Sequence, residues 1–120
     1  MSGTVPAAIQ DDPVASRILA RLRVLLDRLE GVTVKVSRSQ VAFRRKKNFA
    51  LVWVPGMYLH RDAAPLVLTV LGRKRIRSAR WKEVVEPAPG RFTHHLELYR
   101  VKDVDAQVAQ WLQQAWEDAG

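Results

Sequence analysis

The feature that most constrains the fold is the order in which two hydrophobic periodicities follow each other along the chain. Apolar residues recur at helical spacing after residue 12, alternate or run together in short stretches between residues 32 and 98, and return to helical spacing after residue 103. A 3.6-residue period indicates an amphipathic helix, whereas alternation indicates a half-buried strand. The sequence therefore predicts an α+β fold with an N-terminal helix, a five- to six-stranded, mainly antiparallel sheet and a C-terminal helix, arranged in two layers.

Local signals mark the ends of the predicted helices. Asp11 and Asp12 stand directly before Pro13, which is the pattern of an acidic N-cap with proline in the first helical turn. Gly31 follows the apolar stripe and is suited to end this helix in a left-handed conformation. We expect the second helix to begin near Asp103, whose carboxylate can cap its first N–H groups.

Two of the predicted strands are apolar on both faces. Residues 49–54 and most of residues 66–71 are hydrophobic throughout. Strands of this kind lie in the centre of a sheet that is covered on both sides. Two helices can cover one face, so a long loop, a ligand or a second copy of the chain is expected on the other. A homodimer is therefore one hypothesis for this protein.

The length and composition are those of one globular domain. The 120 residues are 48% hydrophobic and 27% charged, which is enough for a self-standing core. Residues 1–10 are mostly small or polar and predict a flexible tail, which leaves residues 11–119 as a single domain. The chain has no cysteine, so disulfides, thiol nucleophiles and sulfur-ligated zinc are excluded.

Nothing in the sequence indicates a membrane location. The apolar runs are much shorter than the roughly 20 residues that a bilayer-spanning helix needs. The first ten residues lack the basic and apolar regions of a secretory signal. We therefore expect a cytoplasmic protein that does not bind membranes.

Positive charge is concentrated in the middle of the chain. Residues 31–82 hold thirteen basic residues and one acid, a net charge of +12, whereas residues 1–30 are neutral and residues 83–120 carry −4. Such a distribution favours anionic partners. Two dense runs supply the candidate anion-binding residues: Arg44, Arg45, Lys46 and Lys47 in a predicted hairpin tip, and Arg73, Lys74, Arg75 and Arg77 further on.

Both basic runs also have a simpler interpretation, as solvated turns that only confer solubility. Phe43 and Phe49 flank the first run and could stack on a base. Phe43 is in phase with Val41, and Phe49 with Leu51, which favours placement in the core.

Three stretches of the chain resemble a known bacterial family. They are VAFRRKKNFA at residues 41–50, GRFTHHLEL at residues 90–98, and residues 103–105 together with Trp111, Leu112, Ala115 and Trp116. Together they resemble the family catalogued as domain of unknown function 5655, over roughly residues 15–118. The resemblance implies a small α+β domain with the same order of elements, and it implies no activity. Trp116 stands where we expect the family to favour tyrosine.

Adjacent histidines lie on one predicted strand and therefore point to opposite faces of the sheet. His95, Glu97 and Tyr99 share a face and form a candidate pocket, in which His95 could act as a base that Glu97 orients. Alternatively, His95 and Glu97 are an ordinary polar pair, and His94 is a histidine of the core. Neighbouring histidines on a strand cannot easily bind one metal ion, so we predict no metal site and no cofactor.

The common catalytic and nucleic-acid-binding signatures are missing from the sequence. Its six glycines form no phosphate-binding loop, and no serine lies in a nucleophile elbow. No helix-turn-helix or RNA-recognition pattern occurs. The favoured hypothesis is a non-enzymatic binding module whose basic surface engages nucleic acid, or another polyanion, without sequence specificity. Two alternatives are a dimeric or protein-binding domain, and a small-ligand binder or enzyme that uses His95 and Glu97.

Overall fold

The computed structural model describes residues 5–55 and 63–120. In the chain, two helices precede the strands of the sheet and one helix follows them. The helices are α1 (Ala7–Gln10), α2 (Pro13–Leu26) and α3 (Ala106–Asp118). Asp12 caps α2, since its side chain accepts hydrogen bonds from the N–H groups of Val14 and Ala15. The predicted helix start at Asp12 and Pro13 is confirmed. Within the described ranges, no helix is both long and apolar enough to cross a membrane.

Six strands lie between α2 and α3. They are β1 (Thr33–Val36), β2 (Gln40–Arg44), β3 (Asn48–Trp53), β4 (Leu66–Gly72), β5 (Glu83–Ala88) and β6 (Arg91–Leu98). All neighbours are antiparallel, in the order β1-β2-β3-β4-β6-β5. The predicted α+β fold with its antiparallel sheet is confirmed. The β5–β6 hairpin turns at Gly90, where φ is 72°, and places β6 instead of β5 beside β4.

One face of the sheet forms the hydrophobic core with the helices. The cross-strand neighbours Val41, Val52, Leu68 and Leu96 lie on this face, and each is at most 3% exposed. The same core includes buried residues of all three helices, among them Leu112 of α3. Burying each such side chain stabilises the fold by about 1.5–3 kcal/mol.

The opposite face of the sheet is separate from this core. Leu51, Trp53, Thr69 and His95 lie on it, and none of them belongs to the core that the helices share. Thr69 is 2% exposed, whereas the other three side chains are half-buried. This opposite face is called the open face below.

The structure differs from the prediction of a flexible tail over residues 1–10. Residues 1–4 lie outside the described part of the chain. Residues 7–10 form the single turn of α1, in which Ile9 is 1% exposed and packs into the core. The burial of Ile9, with Val5 packed against the same core, helps to attach this turn to the domain.

Two predicted helix boundaries are wrong. Helix α2 ends at Leu26, and Gly31 instead uses its φ of 66° in the turn that leads to β1. Helix α3 is capped by Asp105, whose side chain accepts a hydrogen bond from the N–H of Val108. Asp103 belongs to a preceding 3-10 turn, where its carboxylate accepts from the N–H groups of Tyr99 and Arg100.

Candidate anion-binding site

The two basic runs lie at one end of the sheet. Because β3 and β4 are antiparallel neighbours, the start of β3 at Asn48 and the end of β4 at Gly72 are at the same end. Strand β6 also begins there, since Gly72 pairs with Phe92. The first basic run precedes β3 and the second follows β4, so the sheet topology brings the two runs together.

The C-terminal end of α3 closes this end of the sheet. The Asp118 carboxylate accepts hydrogen bonds from the backbone N–H of Arg73 at 3.1 Å and from the side-chain amide of Gln114 at 3.2 Å. The backbone N–H of Lys46 donates to the carbonyl of Ala119 at 3.3 Å. Both basic runs are therefore tied to the same helix terminus.

A cavity of about 470 Å³ lies beside this helix terminus, and it is called the anion cavity below. The pairing of β3 with β4 stops at Ala50 and Val70, whereas β4 and β6 remain paired to Gly72 and Phe92. The residues of β3 and β4 that lie beyond this last pair at the same end of the sheet are part of the cavity lining. Its apolar lining includes Phe49, Leu71 and Phe92, and its basic lining consists of Lys47, Arg73 and Arg91.

A smaller cavity of about 260 Å³ adjoins the anion cavity, because both are lined by Leu71, Gly72, Ala115 and Asp118. Lys74 and Arg75 line this smaller cavity. Four of the eight sequence-predicted residues therefore surround the end of α3: Lys47, Arg73, Lys74 and Arg75.

The other four predicted residues do not line either cavity. Arg44, Lys46 and Arg77 are exposed on the surface. The Arg45 guanidinium lies 3.7 Å from the centroid of the Trp116 ring and donates to the Trp116 carbonyl at 3.1 Å. Arg45 is thus half-buried, and it connects the first basic run to α3.

Across residues 5–55 and 63–120, none of the eight sequence-predicted basic side chains forms an ion pair with a carboxylate. The ion pairs found there involve Arg23, Arg80, Lys82 and Arg100. Asp118 adds a negative charge to the lining of the anion cavity, against three cations.

The two phenylalanines beside the first run lie in the core, as predicted, but the phase argument holds only for Phe43, because Leu51, with which Phe49 is in phase, lies on the open face. Phe43 is 0% exposed and Phe49 is 1% exposed. Neither ring is accessible enough to stack on a base, although Phe49 contributes an edge of the anion cavity.

The second basic run is held against β6 by a buried histidine. His94 is 0% exposed, and its Nε2 accepts a hydrogen bond from the backbone N–H of Ile76 at 3.0 Å. Its Nδ1 lies 3.0 Å from the carbonyl of Val70, so Nδ1 carries the proton and the ring is neutral. Burial lowers the pKa of His94 below 6.5. The indole N–H of Trp81 donates to the carbonyl of Ile76 at 3.0 Å and fixes the same segment.

The pocket predicted from His95, Glu97 and Tyr99 is not assembled in the structure. His95 and Glu97 share the open face, but Glu97 pairs with Lys82 at 3.2 Å. Tyr99 lies beyond the end of β6 and is 52% exposed. Among the described residues, no three histidine, aspartate or glutamate side chains are grouped so that they could hold a metal ion.

His95 is oriented by Thr69 instead of Glu97. Its Nδ1 lies 2.8 Å from the Thr69 hydroxyl, which also accepts a hydrogen bond from the indole N–H of Trp53 at 3.0 Å. Burial lowers the pKa of His95, and the nearby Glu83 carboxylate offsets part of this effect. The imidazole is therefore neutral at pH 7.

A known protein family matches nearly the whole chain, including the residues of the candidate site. The sequence profile of the family described as domain of unknown function (DUF5655) matches residues 8–119. The chain belongs to this family. The resemblance seen in the sequence is thereby confirmed, and both basic runs and α3 lie within the DUF5655 domain. Comparisons with curated proteins and with solved structures gave no match.

Three residues of the DUF5655 domain take part in its cavities without having been singled out from the sequence. Arg91 is an isolated arginine after Gly90, so no charge run marked it. Thr69 and Trp53 each lie inside an apolar run, which predicts packing and not a role in a cavity. The available signal was the position of Thr69 as the only polar residue in LVLTVL at residues 66–71.

Proposed function

We propose that this DUF5655 domain binds an anionic partner, with nucleic acid favoured, through the cationic end of its sheet. The observation that carries the proposal is that Lys47, Arg73 and Arg91 come from three separate chain segments and line one cavity. No described carboxylate forms an ion pair with these three side chains. Unpaired cations that converge on one concavity attract polyanions.

The chemistry of the lining supports phosphates as the anions. Arginine presents a planar fork of donors that matches two phosphate oxygens, while lysine contributes a mobile point charge. Lys74 and Arg75 extend the positive surface into the adjoining cavity. These side chains contact a backbone common to all sequences, so we expect binding without sequence preference.

Salt-dependent binding of labelled oligonucleotides tests the proposal. If Lys47, Arg73 and Arg91 each meet one phosphate, the logarithm of the association constant for a single strand should fall with log salt at a slope of about −2. We expect two oligonucleotides of unrelated sequence to bind equally. A slope near zero at low salt, or no change in fluorescence anisotropy at micromolar protein, would contradict the proposal.

A matched pair of charge-reversal variants locates the interaction. The double variant Lys47→Glu with Arg73→Glu should reduce affinity by at least tenfold and reduce the slope. The control is Arg17→Glu with Lys102→Glu, which makes the same change in net charge. Arg17 is exposed on α2, and Lys102 is exposed beyond the far end of β6. Equal losses in both double variants would indicate attraction by net charge and would overturn the assignment to this site.

A further inference from the structure

The open face carries a second concavity of about 460 Å³, which is called the open-face cavity below. Its walls include Leu51 and Trp53 of β3, Thr69 of β4, Val85 of β5 and His95 of β6. It is open to solvent, with apolar walls and a few polar groups. Such a lining is typical of a small-ligand site.

The hydrogen bonds of Thr69 determine which nitrogen of His95 carries the proton. The Thr69 hydroxyl already accepts from the indole of Trp53, which can only donate. Its own proton needs an acceptor because Thr69 is 2% exposed, and His95 Nδ1 is the one hydrogen-bond acceptor that the described residues place beside the hydroxyl. The hydroxyl therefore donates to Nδ1, and the neutral imidazole carries its proton on Nε2.

The Nε2–H of His95 is available to a ligand. It makes no hydrogen bond within residues 5–55 and 63–120, whereas every fully buried side-chain nitrogen and oxygen there has a partner. Nε2 is consequently an accessible atom of a residue that lines the open-face cavity. The Trp53 and His95 rings are perpendicular, at 87° and 6.2 Å between centroids, so an aromatic side chain lies beside the ring that carries this donor.

The open-face cavity differs from the anion cavity in charge but adjoins it. Among the described residues that line it, none carries a charged side chain. Pro87 and Thr93 line both cavities, so the two lie next to each other, within reach of one extended ligand. A ligand that suits both has an anionic part and, next to it, a flat uncharged part that accepts a hydrogen bond.

We infer that the open-face cavity holds one unpaired base of a single-stranded nucleic acid whose phosphates lie at the anion cavity. The inference rests on the proposed function and names its substrate as single-stranded. A base offers a flat apolar surface to Leu51 and Trp53 and an edge acceptor to His95. Bases of a duplex are paired and stacked, so they cannot enter a cavity on the sheet.

Binding of a single strand and of a duplex of equal length, measured by fluorescence anisotropy, tests this inference. Wild-type protein should prefer the single strand, although the duplex has the higher charge density. Thr69→Val and His95→Ala should each weaken single-strand binding by about tenfold, the loss typical of one base contact. Both should leave duplex binding and the salt slope unchanged.

The matched control is Thr33→Val, the same substitution at an exposed position of β1 that lines neither cavity. NMR spectra of each variant verify that it is folded. If wild-type protein binds both substrates equally, or if the cavity variants bind the single strand like Thr33→Val, the inference is overturned.

A nucleoside titration separates failure of this inference from failure of the proposed function. Uridine and adenosine carry no phosphate, so they probe the open-face cavity alone. At millimolar concentration they should shift the Trp53 indole N–H signal in wild type and not in His95→Ala. If oligonucleotides do not bind but nucleosides do, the proposed function fails and the base site stands. If no shift occurs, the base site is rejected whatever the oligonucleotides show.

Discussion

His94 Nε2 accepts a hydrogen bond from the backbone N–H of Ile76 at 3.0 Å, and this bond attaches the segment that carries the second basic run to strand β6. A protonated imidazole has no free lone pair, so His94 can keep this bond only while it is neutral. The attachment is therefore sensitive to pH. Burial, and after it the positive charge of Arg75, lowers the pKa of His94. A lowered pKa favours the neutral imidazole, which is the form that this hydrogen bond requires.

We predict that the free energy of unfolding decreases as the pH falls below about 6.5, the value for an unfolded histidine. The pKa of His94 is lower in the folded state, so the unfolded chain binds protons first. The contribution is complete above pH 6.5 and is lost as the pH falls through the folded pKa. The pKa of His95 is also lowered, so its protonation likewise reduces the free energy of unfolding as the pH falls. Urea unfolding between pH 7.5 and about 5 measures the effect, and His94→Gln should be less stable at neutral pH but less dependent on pH. An unchanged pH profile in His94→Gln would assign the effect to other groups.

Arg45 is predicted to stabilise the fold, in contrast to its neighbour Lys46. The Arg45 guanidinium stacks 3.7 Å from the Trp116 ring centroid and donates to the Trp116 carbonyl, while the Lys46 side chain is exposed. A partly desolvated cation–π contact is worth about 1 kcal/mol. Arg45→Ala should therefore lower the free energy of unfolding by about 1–2 kcal/mol. The matched Lys46→Ala should stay within about 0.5 kcal/mol of wild type. Chemical denaturation measures both, and equal stabilities would show that the stacking contributes nothing.

Asp105 is predicted to combine two roles that substitution can separate. Its carboxylate caps α3 by accepting a hydrogen bond from the Val108 N–H, and it forms an ion pair with the Arg80 guanidinium at 3.0 Å. Burial alone would raise the pKa of Asp105, but the hydrogen bonds from Val108 and Arg80 outweigh it and lower the pKa. Its stabilising effect is hence present above pH 3.8 and is lost at lower pH. Asp105→Ala should cost about 1 kcal/mol, and Asp105→Asn less, because asparagine also caps helices. Equal costs in thermal unfolding would mean that the Arg80 ion pair dominates.

Much of the fold follows from local patterns in the sequence. The cap at Asp12 follows from residue type and spacing, and the opposite faces of His94 and His95 follow from strand alternation. The pairing of β4 with β6, and not with β5, does not follow from such patterns. The pairing of Gly72 with Phe92 depends on contacts between distant segments, and two apolar strands offer similar alternatives for pairing.

The candidate site was less accessible to sequence reasoning than the fold. Charge density marked Lys47 and Arg73, but it could not mark Arg91, which is the first residue of β6, has no basic neighbour in the sequence and joins them only through the sheet topology. Charge density also could not distinguish Arg45, which is held by Trp116, from its exposed neighbour Lys46. Solvent exposure and pairing are tertiary properties, so a run of basic residues predicts a positive surface but not which of its members are free.

Asp118 leads to the last prediction, because its carboxylate lines the anion cavity beside Lys47, Arg73 and Arg91. Both of its oxygens accept hydrogen bonds, from the Arg73 N–H and from Gln114, so the side chain is fixed in place. A fixed negative charge at this position repels phosphate. Asp118→Asn removes the charge and retains an oxygen that can accept the Arg73 N–H. We expect oligonucleotide affinity to increase by about two- to fivefold at low salt, as one removed surface repulsion implies. The control is Asp27→Asn, the same substitution at an exposed residue just after α2. An equal gain in both variants would reflect net charge alone, whereas a loss in Asp118→Asn would show that the hydrogen bond to Arg73 matters more than the repulsion.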